Sequence, residues 1–348
     1  MRAISCWPQA ASHLTSHPEI SHLTFIGSRP VAHEVAKSAS KTLIPLCVEL
    51  GGKDAAIVLD HPDGRQETQN ELNRIASIII RGVFQSAGQN CIGLERIIAM
   101  PQAYSRLVSM LESRIKILRL GFDLSNPESG DVDVGAMISS ASFSRLETLI
   151  AEAVAQGARL LVGGHRHKHP EYPQGSYFEP TLLVDVTPEM RIAQEELFAP
   201  VCVVMKASSI GNAVTIANST SYGLGSSVFG PSGSRAAGKQ LEYVTQNLKT
   251  GMVAVNDFAV FYAVQLPFGG ARGSGYGRFA GKEGLRGLCN AKSVCVDRWP
   301  GLIKTMIPGK LDYPMGKGAY GMGRGVIELG YGENWNRRVQ GISKTLGM

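Results

Sequence analysis

Apolar residues recur at steps of three and four through Leu72, Ile75, Ala76, Ile79, Ile80 and Val83, which is the spacing of one buried face of a helix. The run closes in Arg81-Gly-Val-Phe-Gln-Ser-Ala-Gly-Gln-Asn-Cys-Ile-Gly93, where Gly88 breaks the helix. Cys91 then lies in a loop ahead of an apolar strand, Arg96–Met100. A thiol on such a turn need not be packed and is placed to react, although burial is the commoner fate of a free cysteine.

The same pattern divides the rest of the chain. Ile20–Ile26 predicts a strand, Gly27-Ser28 a turn, and Pro30 the first turn of a helix whose inward face is Val31, Val35, Ala36 and Ala39. The free N–H groups of that helix could hold an anion, or the turn could be an ordinary strand-to-helix connection. Leu46–Leu50 predicts a second strand, which runs into Gly51-Gly52-Lys53, and Ala55–Leu59 a third.

Helices follow on Tyr104, Leu107, Leu111, Ile115 and Leu118, and on Leu146, Leu149, Ile150, Ala153 and Val154. Strands are expected at Arg159–Val162, Thr181–Val184, Val201–Met205 and Met252–Asn256, with helices at Ile210–Asn218 and around Ser234–Leu248. Alternation of this kind predicts an α/β fold, a doubly wound and mostly parallel sheet with helices on both faces. Gly273-Ser-Gly-Tyr-Gly-Arg278 looks like a dinucleotide loop but follows no strand, so a mobile loop is expected there. His165, His167 and His169 have no cysteine partners at zinc spacing, and no metal site is expected.

Composition narrows the class. A chain of 348 residues with 44% apolar and 18% charged residues has room for about two domains and reads as a soluble globular protein. No apolar run approaches the roughly 18 residues of a spanning helix, and the first residues lack the apolar core of a signal peptide. Six cysteines without a CxxC pair suit a reducing compartment, the cytoplasm. Of the net charge of +6, the stretch from Arg298 onward holds eight Lys/Arg against three Asp/Glu, or +5. The body is left near neutral, which gives no reason to expect nucleic acid.

Candidate chemistry gathers around Cys91. Glu49 stands 42 positions earlier, near a strand end beside a double glycine, where a carboxylate would face a ligand crevice. A thiol and a carboxylate base together suit acyl chemistry, and an unperturbed thiol of pKa about 8.5 needs such activation at neutral pH. Gln194–Pro200 adds Glu196 and Phe198 before a proline-limited turn, and Leu266–Gly270 adds Phe268 clamped by glycines.

Four motifs, Val48-Glu-Leu-Gly-Gly-Lys53, Gly88-Gln-Asn-Cys91, Glu195-Glu-Leu-Phe-Ala-Pro200 and Pro267-Phe-Gly-Gly270, occur in the order and spacing of the aldehyde dehydrogenase superfamily. The resemblance runs from about Ser16 to Trp299, and the tail further resembles a fungal and plant subgroup with an extended C-terminus. It implies NAD(P)-dependent oxidation of an aldehyde to a carboxylic acid, with Cys91 as the nucleophile that forms a thiohemiacetal and then a thioester. Glu49 would be the general base, and Leu50 and Gly51 would line the nicotinamide site. Glu196 would hydrogen-bond the nicotinamide-side ribose, with Phe198 beside it. Gly27 and Ser28 would meet the pyrophosphate, and Phe268 would wall the aldehyde pocket.

The resemblance also implies a truncated Rossmann-like cofactor domain, because the family's N-terminal part lies before the matched region. The expected divisions are 1–50, a remnant of the dinucleotide-binding domain; 51–275, the catalytic domain; 276–300, a return segment with an oligomerisation strand; and 301–348, a basic tail. The strand at 291–296 would join a second copy into a homo-oligomer. The tail's steps of three and four, from Ala319 to Leu346, suit either packing or a weak contact with an anionic membrane surface. Besides the enzyme, a non-catalytic subunit of an aldehyde dehydrogenase oligomer and a cofactor-independent thiol esterase remain open.

Overall fold

The computed structural model describes residues 2–122, 130–231, 233–259, 265–299, 301, 302, 304 and 306–346. Contacts divide the chain into two compact units, Met1–Cys289 and Asn290–Met348. The first unit opens with α1 (Pro8–Thr15), β1 (Leu23–Gly27), α2 (Arg29–Ala39), β2 (Leu46–Leu50) and β3 (Asp54–Val58). Next come α3 (Gln69–Phe84), β4 (Leu94–Ala99), α4 (Pro101–Ile115) and α5 (Phe143–Ala155). After these run β5 (Arg159–Val162), β6 (Arg166–His167), β7 (Tyr177–Phe178), β8 (Thr181–Val184), α6 (Arg191–Gln194) and β9 (Val201–Lys206). The unit closes with α7 (Ile210–Ala217), β10 (Gly225–Phe229), α8 (Arg235–Asn247), β11 (Met252–Val255), β12 (Gly275–Tyr276) and α9 (Gly281–Gly287).

The main sheet has seven strands in the order β11-β10-β3-β4-β9-β8-β5. All its neighbours are parallel except β5, which runs antiparallel to β8. Parallel strands covered on both faces need unbroken apolar sequence, and every residue of β3, β4, β8 and β10 is buried. Helix ends follow local chemistry. Thr68 and Glu71 form a reciprocal capping box on α3, and prolines occupy the first turns of α2 and α4.

A second sheet is short. β1 pairs parallel with β2, and β12 pairs antiparallel with the other edge of β2. Along β2 the side chains alternate, so Val48 and Leu50 join Ala32 in a small apolar cluster, while Cys47 and Glu49 share the opposite face. Residues 51–53 bridge this sheet to the main one, and that bridge carries the site.

Several expectations change. Val31 is half exposed and Ala32 takes the inward position, because a helix starting at Arg29 turns residue 31 outward. Val154 is likewise exposed at the end of α5. The Gly273–Arg278 stretch is no mobile loop. It forms a helical turn and then β12, with Ser274 fully buried and Gly275 so close to β2 that a Cβ would lie 2.0 Å from the Val48 carbonyl oxygen. Residues 291–296 form no strand in this chain, since a strand needs a partner edge and Val294 and Val296 stand exposed.

In the second unit, α10 (Ala319–Tyr331) and α11 (Trp335–Leu346) form a helical pair. Gly325 and Gly341 let the two backbones touch, each leaving no room for a Cβ. The glycines that weaken helix propensity therefore create the contact.

Candidate active site

Helix α3 ends at Phe84, and Ser86 and Ala87 take left-handed backbone angles before Gly88 at φ +71°. A Cβ on Gly88 would lie 2.1 Å from the Ala199 carbonyl oxygen, so only glycine lets this turn meet the 196–200 segment. Cys91 follows, partly buried, with its thiol 3.8 Å from Asn90 Oδ1. It packs against the apolar cluster that contains Ile92, Leu224 and Phe268. Phe268 is buried and tilted against Phe279, with ring centroids 4.9 Å apart.

Glu49 reaches this thiol from β2. It is only 2% exposed, and its Oε1 has no hydrogen-bond partner among the described residues. Burial raises its pKa, which a hydrogen bond from the Cys91 side chain partly offsets. The thiol is affected more strongly. Burial, then the Glu49 charge and its hydrogen bond, push Cys91 up to about 12. Thiol and carboxylate are thus paired, and burial holds each toward its protonated form.

Three backbone groups of the bridge beside them are held by side chains. Ser274 Oγ donates to the Gly51 carbonyl at 2.7 Å, and the Gly52 N–H donates to Glu196 Oε1 at 3.0 Å. The Lys53 carbonyl accepts from Arg96 Nε at 3.0 Å. A Cβ on Gly51 would fall 1.9 Å from Glu196 Oε1, so that carboxylate fills the space a side chain would take. Burial, then the nearby Glu95 charge, push Glu196 up to about 7.

Phe198, two residues on, is part-exposed with φ +50°, a backbone region that favours glycine. Arg145 donates to the Glu196 and Leu197 carbonyls at 3.2 and 3.4 Å. Gly27 pairs in register with Leu50, so the Gly27-Ser28 turn and the start of the bridge lie at the same end of two neighbouring parallel strands. Arg29, next to Ser28, donates to the Gly273 carbonyl at 3.1 Å and lies 4.6 Å over the Tyr222 ring.

The structure thus joins Cys91, Glu49 and Phe268 on one side, and Gly51, Glu196 and Phe198 on the other. The histidines at 165 and 167 face Glu179, at 3.3 and 3.5 Å. Sequence reasoning gave no role to Lys53, at the end of the bridge, or to Glu95 and Arg96 on β4, all three of them buried. Lys53 Nζ lies 2.6 Å from Glu95 Oε2, and Arg96 donates to the Ile216 and Ala217 carbonyls at 2.9 and 2.8 Å. The available signal was two adjacent charges in an otherwise apolar strand, since charges enter a core only when paired.

Comparison with known proteins adds a family. The aldehyde dehydrogenase family matches residues 7–294. Over 95% of this chain, an aldehyde dehydrogenase-like protein of Schizosaccharomyces pombe is 53% identical, and one of Saccharomyces cerevisiae is 56% identical over 88%. The chain spans 60% and 46% of those two relatives. The crystal structure of betaine aldehyde dehydrogenase from Staphylococcus aureus in complex with NAD+ is 30% identical, with TM-score 0.68, covering 79% of this chain and 51% of that one.

Proposed function

This chain belongs to the aldehyde dehydrogenase family, and from that premise we propose that its site performs NAD(P)-dependent oxidation of an aldehyde to a carboxylic acid. The observation that carries the proposal is the pairing of the partly buried Cys91 thiol with the buried Glu49 carboxylate, beside a glycine bridge closed by Glu196. Cys91 Sγ would add to the carbonyl carbon as its proton passes to Glu49, whose Oε1 is free to accept. A bound nicotinamide dinucleotide, NAD or NADP, supplies the acceptor for the hydride. Once it has passed that proton to solvent, Glu49 would take a proton from water as the water attacks the Cys91 thioester, and would return it to the departing sulfur as the acid is released.

The residues present fit the nicotinamide end of such a cofactor. Glu196 offers a carboxylate to adjacent hydroxyls from a site where Gly51 admits no Cβ, and Phe198 stands part-exposed beside it. Leu50 and Gly51 would line that site, and Gly27 with Ser28 would meet the pyrophosphate. Phe268 would wall the aldehyde pocket. The relatives named NADP-dependent succinate-semialdehyde dehydrogenase and the NAD+ complex support either dinucleotide. The purified chain mixed with an aldehyde and each dinucleotide should form NADH or NADPH, read by absorbance; no reduction with any aldehyde tested would overturn the proposal.

Residues 291–296 would join a second copy, adding the strand that this chain leaves unpaired, and light scattering should then report an oligomer. A non-catalytic subunit is the second reading, favoured by a thiol held as high as about 12. We place the protein in the cytoplasm on its six free cysteines. Among the described residues no helix is long and apolar enough to cross a membrane. Trp335, Val339, Ile342 and Leu346 lie exposed on α11 at helical spacing, which suits a weak contact with an anionic surface. Sedimentation with anionic vesicles should lose the protein to the pellet, and should not do so after Val339→Ser with Ile342→Ser.

A further inference from the structure

Leu197 and Phe198 each have a backbone N–H directed inward beneath the site. Both donate to one carboxylate. Glu95 Oε1 and Oε2 accept from the Leu197 N–H at 3.0 and 2.9 Å, and Oε1 accepts from the Phe198 N–H at 2.9 Å. On its other side Glu95 accepts from Lys53 Nζ at 2.6 Å, and the Lys53 side chain is fully buried. The anion therefore connects the two turns of the site, residues 51–53 and residues 196–198. It does so from β4, four positions after Cys91.

Neither partner is readily replaced. A buried N–H without an acceptor is costly, and a carboxylate that binds two of them makes stronger bonds than a neutral carbonyl would. The left-handed angle at Phe198 is a strained state for a bulky residue, and it persists only where the surroundings fix it. Arg145 holds the carbonyls of the same segment from the exposed side. Glu95 is the inner half of that grip.

We propose that Glu95, neutralised by Lys53, is a positioning residue that holds the 196–198 turn so that Glu196 and Phe198 face a bound dinucleotide. This rests on the cofactor role proposed for Glu196. Glu95 itself touches neither substrate nor cofactor; it acts through the backbone of Leu197 and Phe198.

The test compares the unsubstituted chain with Glu95→Gln and with the pair Lys53→Met and Glu95→Gln, which leaves no lone buried cation if the single variant does not fold. Hydrogen exchange should speed up tenfold or more at the Leu197 and Phe198 amides, with the amides of β3 and β9 unchanged. The dissociation constant for NAD+ or NADP+, measured by equilibrium dialysis, should rise tenfold or more, while the rate of Cys91 alkylation stays within twofold. Unchanged exchange at residues 197 and 198 would overturn the proposal. So would unchanged dinucleotide affinity, or a loss of Cys91 reactivity in step with it, which a merely structural role would give. If the unsubstituted chain bound neither dinucleotide, the cofactor reading would fail, and the exchange measurement alone would decide the role of Glu95.

Discussion

Glu49 and Glu95 are both buried carboxylates within one site, and their surroundings are opposite. Glu95 is saturated, with Lys53 and two backbone N–H groups on its oxygens. Glu49 keeps one oxygen with no partner among the described residues and faces a thiol whose own proton is held tightly. A saturated anion fixes geometry, because each bond would have to break for it to move. An undersaturated one keeps capacity to take a proton, which is what a general base requires. Under the proposed function, the difference separates a nucleophile side that reacts from a cofactor side that stays in place.

The strongest way to break this distinction lies at the sulfur. Cys91→Ala should lower aldehyde oxidation by on the order of 10⁴-fold or more, with the thermal midpoint little changed. Glu49→Gln should come next, with a loss on the order of 10²–10⁴ in turnover. The same variant should move Cys91 the other way. Removing the charge and hydrogen bond that help hold the thiol near 12 should shift its alkylation profile to lower pH, whereas a profile shifted upward would contradict the pairing.

On the other side, Glu95→Ala leaves the Lys53 charge buried and unpaired, and should cost about 3–5 kcal/mol in denaturant unfolding. Replacing both, as Lys53→Met with Glu95→Leu, should recover most of that stability without recovering dinucleotide affinity. Gly51→Ala is gentler. Its Cβ would displace the Glu196 carboxylate, so the dinucleotide dissociation constant should rise roughly tenfold while Cys91 alkylation holds steady.

The smallest effect is in pH. Because Glu196 keeps its proton up to about 7, its ionised form should gather above that pH, and dinucleotide affinity should improve as pH rises through it. The stability contribution has the opposite sign. A carboxyl raised by burial favours the folded state at low pH and loses that contribution as pH climbs from its ordinary range to about 7. A flat affinity profile would separate Glu196 from the cofactor.

Much of this was legible along the chain. Leu46–Leu50 and Thr181–Val184 are bounded by glycine or by a change in polarity, so their strands fall where periodicity puts them. Glu49 and Cys91 were visible because each sits at the end of a regular element near a glycine. The pairing of Lys53 with Glu95 was not read, since partners 42 positions apart do not mark each other, although Glu95-Arg96 does interrupt an apolar strand. Gly273–Arg278 misled for a related reason. Its glycines suggest freedom in isolation, but they serve close approach to β2 and to Cys47. Residues 291–296 form no strand here, and the partner edge proposed for them would leave no mark in a single chain's pattern.

The central claim is that Cys91 carries the acyl group and Glu49 releases it. Glu49→Gln should therefore stall with the acyl group in place. After incubation with an aldehyde and dinucleotide, peptide mass mapping of that variant should find an acyl thioester on Cys91 that is absent from Cys91→Ala. Finding the Cys91 peptide unmodified, or the acyl group on another cysteine, would contradict it.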